Sequence, residues 1–160
     1  MPIELAPVWI VLLNMGGWLF VQLGLAWLFL RIPAHWFKAV GPHGWEKSGR
    51  FYERFVGIKH WKGLLPDGAR WFVGGFGKST LEAVNPEYLQ RFLRETRRGE
   101  ICHWCAILAA SVFFLWNPWW GDLIVVIYAL AANLPCILTQ RYNRARMRRL
   151  LGRMGSSAEP

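Results

Sequence analysis

The stretch Glu95-Thr96-Arg97-Arg98-Gly99-Glu100-Ile101-Cys102-His103-Trp104 carries the first groups that could do chemistry. On a helix, Thr96, Glu100 and His103 share one face by i, i+4 and i, i+3 spacing. A carboxylate then stands beside an imidazole, and Glu100 is expected to orient His103 as a general base for a hydroxyl. The plainer reading is an interfacial His and Glu that only pair with neighbouring arginines. A second polar run is Gln140-Arg141-Tyr142-Asn143-Arg144-Ala145-Arg146, which alone would serve as a basic anchor. Asn133 precedes it within an apolar run. Its expected role is a hydrogen bond between helices, with donation to an oxyanion as the alternative.

Two other patterns lead nowhere. Gly74-Gly75-Phe76-Gly77-Lys78-Ser79-Thr80 looks like a phosphate loop, but Phe72 stands where its first glycine belongs. Cys102-His103-Trp104-Cys105 is a C-x-x-C without a second paired set, so buried thiols are expected and no metal site.

These groups must be positioned by unusual elements. Hydrophobic residues make up 54% of the 160-residue chain, with 11 tryptophans, yet the net charge is +9. Lipid-facing apolar residues and headgroup-facing basic ones reconcile the two. Nucleic-acid binding is not expected, because the basic residues flank uncharged runs. Those runs are Leu5–Leu30, Ile101–Gly121 and Leu123–Gln140. A bilayer core takes roughly 20 apolar helical residues. The fold class is therefore an all-α integral membrane protein, with three transmembrane helices at about 6–30, 101–118 and 121–140. The first run lacks a preceding Lys or Arg and a closing A-x-A-like site, so it is read as a span and not a signal peptide. Asn117, Pro118, Gly121 and Asp122 make a tight turn between the last two.

All 19 basic residues fall in two blocks, 13 between Arg31 and Arg98 and six between Arg141 and Arg153. Three spans put both blocks on one side, which the positive-inside rule makes cytoplasmic. The N-terminus then lies outside and the C-terminus inside, in a multi-pass cell (inner) membrane protein. One membrane domain is expected over 1–152, with 31–98 as a cytoplasmic loop carrying interfacial helices and 153–160 as a disordered tail.

Pro33 should end the first helix near the interface, where Trp36 and Phe37 fit. Residues 46–55 suggest a short amphipathic helix with Phe51, Phe55 and Val56 on one face, and 59–68 a loop. Asn85-Pro86-Glu87 supplies a cap, an N1 proline and an acid at the positive dipole end. One helix from Pro86 to about Trp116 would be roughly 45 Å long, with Gly99 as a possible interruption. Hairpin symmetry about Trp119 and Trp120 sets Glu100 level with about Thr139. The two polar clusters should therefore meet.

The chain resembles the glycosyl-diaponeurosporenoate acyltransferases of staphyloxanthin-type carotenoid biosynthesis, from about Val21 to Leu151. The resemblance is carried by Arg31-Ile32-Pro33, Glu46-Lys47-x-Gly49-Arg50-Phe51, Trp61-Lys62 and Leu65-x-Asp67-Gly68. Further on it is carried by Glu95-Thr96-x-Arg98-x-Glu100-x-x-His103-Trp104, Tyr128-Ala129-x-x-Ala132-Asn133-x-Pro135 and Gln140-Arg141-Tyr142-Asn143-Arg144-x-Arg146. It implies transfer of a fatty acyl group to the sugar hydroxyl of a glycosylated carotenoid or similar isoprenoid or lipid acceptor. Acyl-CoA is the expected co-substrate, with no cofactor, and membrane lipids are the surroundings.

The roles themselves follow from chemistry. His103 takes the hydroxyl proton, Glu100 holds its tautomer, and Asn143 or Asn133 stabilises the oxyanion. Lys59, Lys62, Arg97, Arg141 and Arg144 face CoA phosphates. Gln140, Tyr142, Trp61 and Asp67 complete the substrate-binding set. The competing readings are a non-catalytic assembly or lipid-binding subunit, and methyl or glycosyl transfer to a lipid. The non-catalytic reading predicts a Glu100 fully paired with arginines and no lipid-sized cavity beside it.

Overall fold

The computed structural model describes residues 3–38, 41, 44–65, 71, 73, 75–78, 83 and 85–156. Among these the chain is all helical. Helix α1 covers Pro7–Arg31 and α4 covers Pro86–Ala109, continuing as a 3-10 turn over Ala110–Leu115. Helix α5 covers Trp119–Ser156, and short helices α2 (Arg50–Arg54) and α3 (Ile58–Trp61) lie between α1 and α4. The three long segments are long and apolar enough to cross a membrane.

Their ends follow from local chemistry. Pro33 disfavours helix in the residue before it, and α1 stops at Arg31 with Ile32 extended. At the head of α4 the Asn85 side chain accepts the Tyr88 N–H at 2.8 Å, and Pro86 and Glu87 fill the first turn. Gly99 does not interrupt α4. Instead it permits close packing, because a Cβ there would stand 3.1 Å from Gln140 Nε2 of α5. Gly17 does the same for α1, where a Cβ would stand 3.2 Å from the Phe113 ring.

The α4–α5 hairpin outreaches a bilayer. At 1.5 Å per residue the 38 residues of α5 extend about 57 Å, against a hydrocarbon core of about 30 Å. The surplus forms a basic extension in which Leu89, Phe92 and Leu93 of α4 pack on Phe76 and Met147. At the opposite, turn end, Trp18 packs with Ala110, Phe113 and Ala129. Trp18 is the one buried residue of α1, Val21 packs beside it, and exposed apolar side chains such as Val8, Leu12, Phe20 and Trp27 suit a lipid-facing helix.

Three expectations need correction. Residues 58–64 are helical, not a loop: Ile58 is fully buried against Tyr52 and Tyr142, and that anchor winds α3 and the Lys62–Leu64 turn beside α5. Residues 44–55 form a 3-10 turn followed by α2, with Tyr52 as the buried residue and Phe55 exposed. Residues 153–156 continue α5 rather than a disordered tail, and 157–160 lie outside the described residues.

Candidate active site

Helix α1 packs on α4 and leaves an open groove toward α5, with α4 as its floor. The cavity measures about 1060 Å³. It runs from Ile10 and Trp120 near the turn end to Lys62 and Asn143 at the basic end, mostly along apolar side chains.

A polar set interrupts that lining. His103 Nδ1 lies 2.9 Å from Asn133 Oδ1, and Gln22 Nε2 donates to the same oxygen at 3.4 Å. Asn133 is fully buried and donates its own amide to the Ala129 carbonyl at 2.9 Å. That bond points the nitrogen down α5 and the oxygen at His103. An amide oxygen can only accept, so Nδ1 carries a proton, and in the neutral ring Nε2 then keeps the lone pair. His103 stands about 7.5 Å along α4 from Arg98, inside the apolar zone and below the basic layer.

Glu100 does not hold His103. It is fully buried and contacts Arg97 at 3.2 Å, Arg141 at 2.7 Å and Arg144 at 2.6 Å. Spacing put Glu100 and His103 on one face, but three guanidiniums outcompete one neutral ring for a carboxylate at this depth. Asn133 takes the orienting position instead. The network continues outward: Arg141 approaches Glu46 at 3.9 Å, and Tyr52 donates to Glu46 at 2.5 Å. Burial, and then the Glu46 carboxylate, push the Tyr52 phenol well above its ordinary range. Glu95 and Arg98 pair at 2.6 Å, and Arg98 also donates to the Ile32 carbonyl at 3.5 Å, tying the end of α1 to α4.

The remaining expected site residues divide in two. Gln140 and Asn143 line the basic end of the groove, as does Thr139, which had not been singled out. Gln140 Oε1 and Thr139 Oγ1 are buried there without a hydrogen-bond partner among the described residues. By contrast, Tyr142 donates to Glu53 at 3.0 Å, Lys59 pairs with Glu53 at 2.9 Å, and the Trp61 indole donates to the Val56 carbonyl at 3.0 Å. The first ties α2 to α5, and the other two hold α2, the turn after it and α3 together. The Lys59 ammonium, and after burial's opposing effect the Tyr142 hydroxyl, hold the Glu53 carboxyl below its ordinary range. Lys62 sits 5.0 Å above the Tyr142 ring, at the groove mouth. Asp67 lies outside the described residues.

Sequence reasoning had also passed over Gln22 and Asn14. Asn14 exchanges two hydrogen bonds with Asn117, at 2.8 and 2.9 Å, and accepts from the Trp116 indole at 2.9 Å, clamping α1 to the hairpin near the turn end. Both are lone amides in an uncharged span, and polar residues at membrane depth usually face the bundle interior.

The fold and groove define a class: a membrane-spanning helical protein with an apolar slot, and an imidazole and amide set into its wall. Comparison gives the family. Residues 33–153 match the family model described as glycosyl-4,4'-diaponeurosporenoate acyltransferase. Proteins of that name from Staphylococcus aureus strains USA300, NCTC 8325 / PS 47 and Newman are 33% identical over 138 residues, covering 84% of this chain and 83% of theirs. No solved structure matches the chain. The chain belongs to the glycosyl-4,4'-diaponeurosporenoate acyltransferase family, and its enzyme class is acyl transfer.

Proposed function

We propose that the protein moves a fatty acyl group from acyl-CoA to a sugar hydroxyl of a glycosylated carotenoid, or a similar isoprenoid or lipid acceptor. The reaction takes place at the cytoplasmic face of the cell membrane, with the basic end inside and the Trp119 turn outside, as the positive-inside rule predicts. The observation that carries this reading is His103, held by Asn133 on the wall of a membrane-depth apolar groove. At about 1060 Å³ the groove suits a long apolar ligand. Gln140 and Thr139, which line the basic end of the groove, would lie beside the sugar.

The step balances without an acyl-enzyme. His103 Nε2 takes the hydroxyl proton as the oxygen attacks the thioester carbonyl. A C–O bond forms, the C–S bond breaks, and the imidazolium returns the proton to the departing thiolate. Asn143 stands ten residues beyond Asn133 on α5, about 15 Å at 1.5 Å per residue, too far to reach an oxyanion formed at His103. Glu100 has no catalytic part and holds the arginine layer together.

The non-catalytic reading correctly expects a Glu100 paired with arginines. It also expects no lipid-sized cavity, and the groove argues against it. The test is purified protein with acyl-CoA and a glycosylated carotenoid: His103→Ala should abolish transfer while its melting temperature stays unchanged. Near-normal turnover would remove His103 from the mechanism. Lipid profiles of cells with and without the protein separate acyl transfer from methyl or glycosyl transfer.

A further inference from the structure

A second cavity of about 300 Å³ lies beside the groove mouth, lined by Glu53, Lys59, Lys62, Tyr142, Arg146 and Arg149. Four cationic side chains face one carboxylate there. That carboxylate is already engaged by Lys59 and by the Tyr142 hydroxyl. Lys62 and Arg146 have no carboxylate partner among the described residues, and Lys62 also lines the groove. Lys62 and Arg146 therefore repel each other without a carboxylate of their own, and a bound anion would offset that repulsion. We infer that this pocket takes the phosphates of the acyl donor, with the diphosphate of CoA at Lys62 and the 3′-phosphate at Arg146 and Arg149.

The spacing along α5 fits that ligand. Tyr142, under Lys62, stands nine residues beyond Asn133, or about 14 Å at 1.5 Å per residue. Arg146 and Arg149 stand about 20 and 24 Å beyond it by the same rise. The pantetheine arm between thioester and diphosphate has some thirteen bonds. At the extension of an ordinary backbone it spans roughly 15 Å. A thioester at His103 therefore brings its diphosphate to Lys62 and its ribose phosphate one to two helical turns further on. Burial, and then the charges of Arg146 and Lys59, lower the Lys62 ammonium's pKa from its ordinary value, as expected of a pocket awaiting an anion.

This inference rests on the acyl-CoA reading, but its test needs no acceptor and no turnover. The full chain is placed in phosphatidylcholine nanodiscs and titrated with an unreactive S-alkyl-CoA thioether. Lys62→Met and Arg146→Ala should each weaken binding about tenfold, as the loss of one charge-assisted contact does, without lowering the melting temperature. Removing the 3′-phosphate from the thioether should cost wild type a similar factor and cost Arg146→Ala little more. Equal binding by all variants and by both thioethers would overturn the assignment. Arg146-dependent binding to phosphatidylglycerol vesicles without thioether binding would also overturn it, making the pocket a lipid headgroup site. Failure of the carotenoid reading would instead appear as intact thioether binding with no acyl transfer.

Discussion

Asn133 Oδ1 stands 2.9 Å from His103 Nδ1, while the Asn133 amide nitrogen donates to the Ala129 carbonyl. One helix thereby fixes the tautomer of a side chain on another. Asn133→Leu removes the acceptor but keeps the branched shape. The imidazole should then sample both tautomers, and kcat should fall roughly 10- to 100-fold, the usual scale for losing a partner that orients a histidine. Nitrogen-15 spectra of the His103 ring would show a single Nδ1–H tautomer in wild type and a mixture in the variant. An unmixed spectrum in the variant would refute the lock.

Glu100→Gln should act on stability far more than on chemistry. It leaves Arg97, Arg141 and Arg144 without the buried carboxylate they share. Breaking a buried ionic cluster by removing its anion costs on the order of 3 kcal/mol. Melting temperature and kcat measured side by side would separate the two residues. Glu100→Gln should mainly lower the first, and Asn133→Leu mainly the second. A catalytic Glu100 would give the opposite pattern.

Much of this arrangement is legible before any coordinates. The uncharged runs locate the three long helices, and the Asn85 cap and Pro33 locate two of their ends. Hairpin arithmetic sets Glu100 level with about Thr139 and brings the two polar clusters together, and the structure has Gly99 close to Gln140 and Glu100 paired with Arg141. Pairing inside the cluster is not legible. An i, i+3 spacing says that Glu100 and His103 share a face, but it does not say which groups of α5 arrive opposite each. Those are Arg141 and Arg144 for one and Asn133 for the other. The region around Tyr52 and Ile58 was also hidden. Helices of four and five residues are too short to show a period, and their order comes from burial against Tyr142.

The docking of α2 and α3 should be acid-sensitive. The Glu53 carboxyl is held below its ordinary value of 4.5, chiefly by Lys59 and with help from Tyr142. A carboxyl lowered in the folded state adds stability that is present above the unfolded pKa. That stability is lost as pH falls through the folded one. Wild type should therefore lose melting temperature on acidification from about pH 5 to about pH 3. Glu53→Gln starts lower and should lose less over the same range. Parallel curves for the two proteins would show that Glu53 contributes nothing to the docking.

The groove itself can be tested by filling it. Ala26 of α1 lines it one turn beyond Gln22 and belongs to none of the three buried clusters, so a bulky side chain there fills the groove and not the core. Ala26→Trp should therefore keep the melting temperature close to wild type and block the acceptor's apolar body, with KM for the acceptor rising at least tenfold. Gly16 supplies the control. A Cβ there meets nothing within 4 Å, and the residue is not part of the groove wall. Gly16→Leu adds bulk to the same helix on the lipid side and should leave transfer unchanged. If both substitutions impair the enzyme equally, the cause is disturbed packing of α1 in the membrane. If only Ala26→Trp does so, the acceptor lies in the groove that His103 lines.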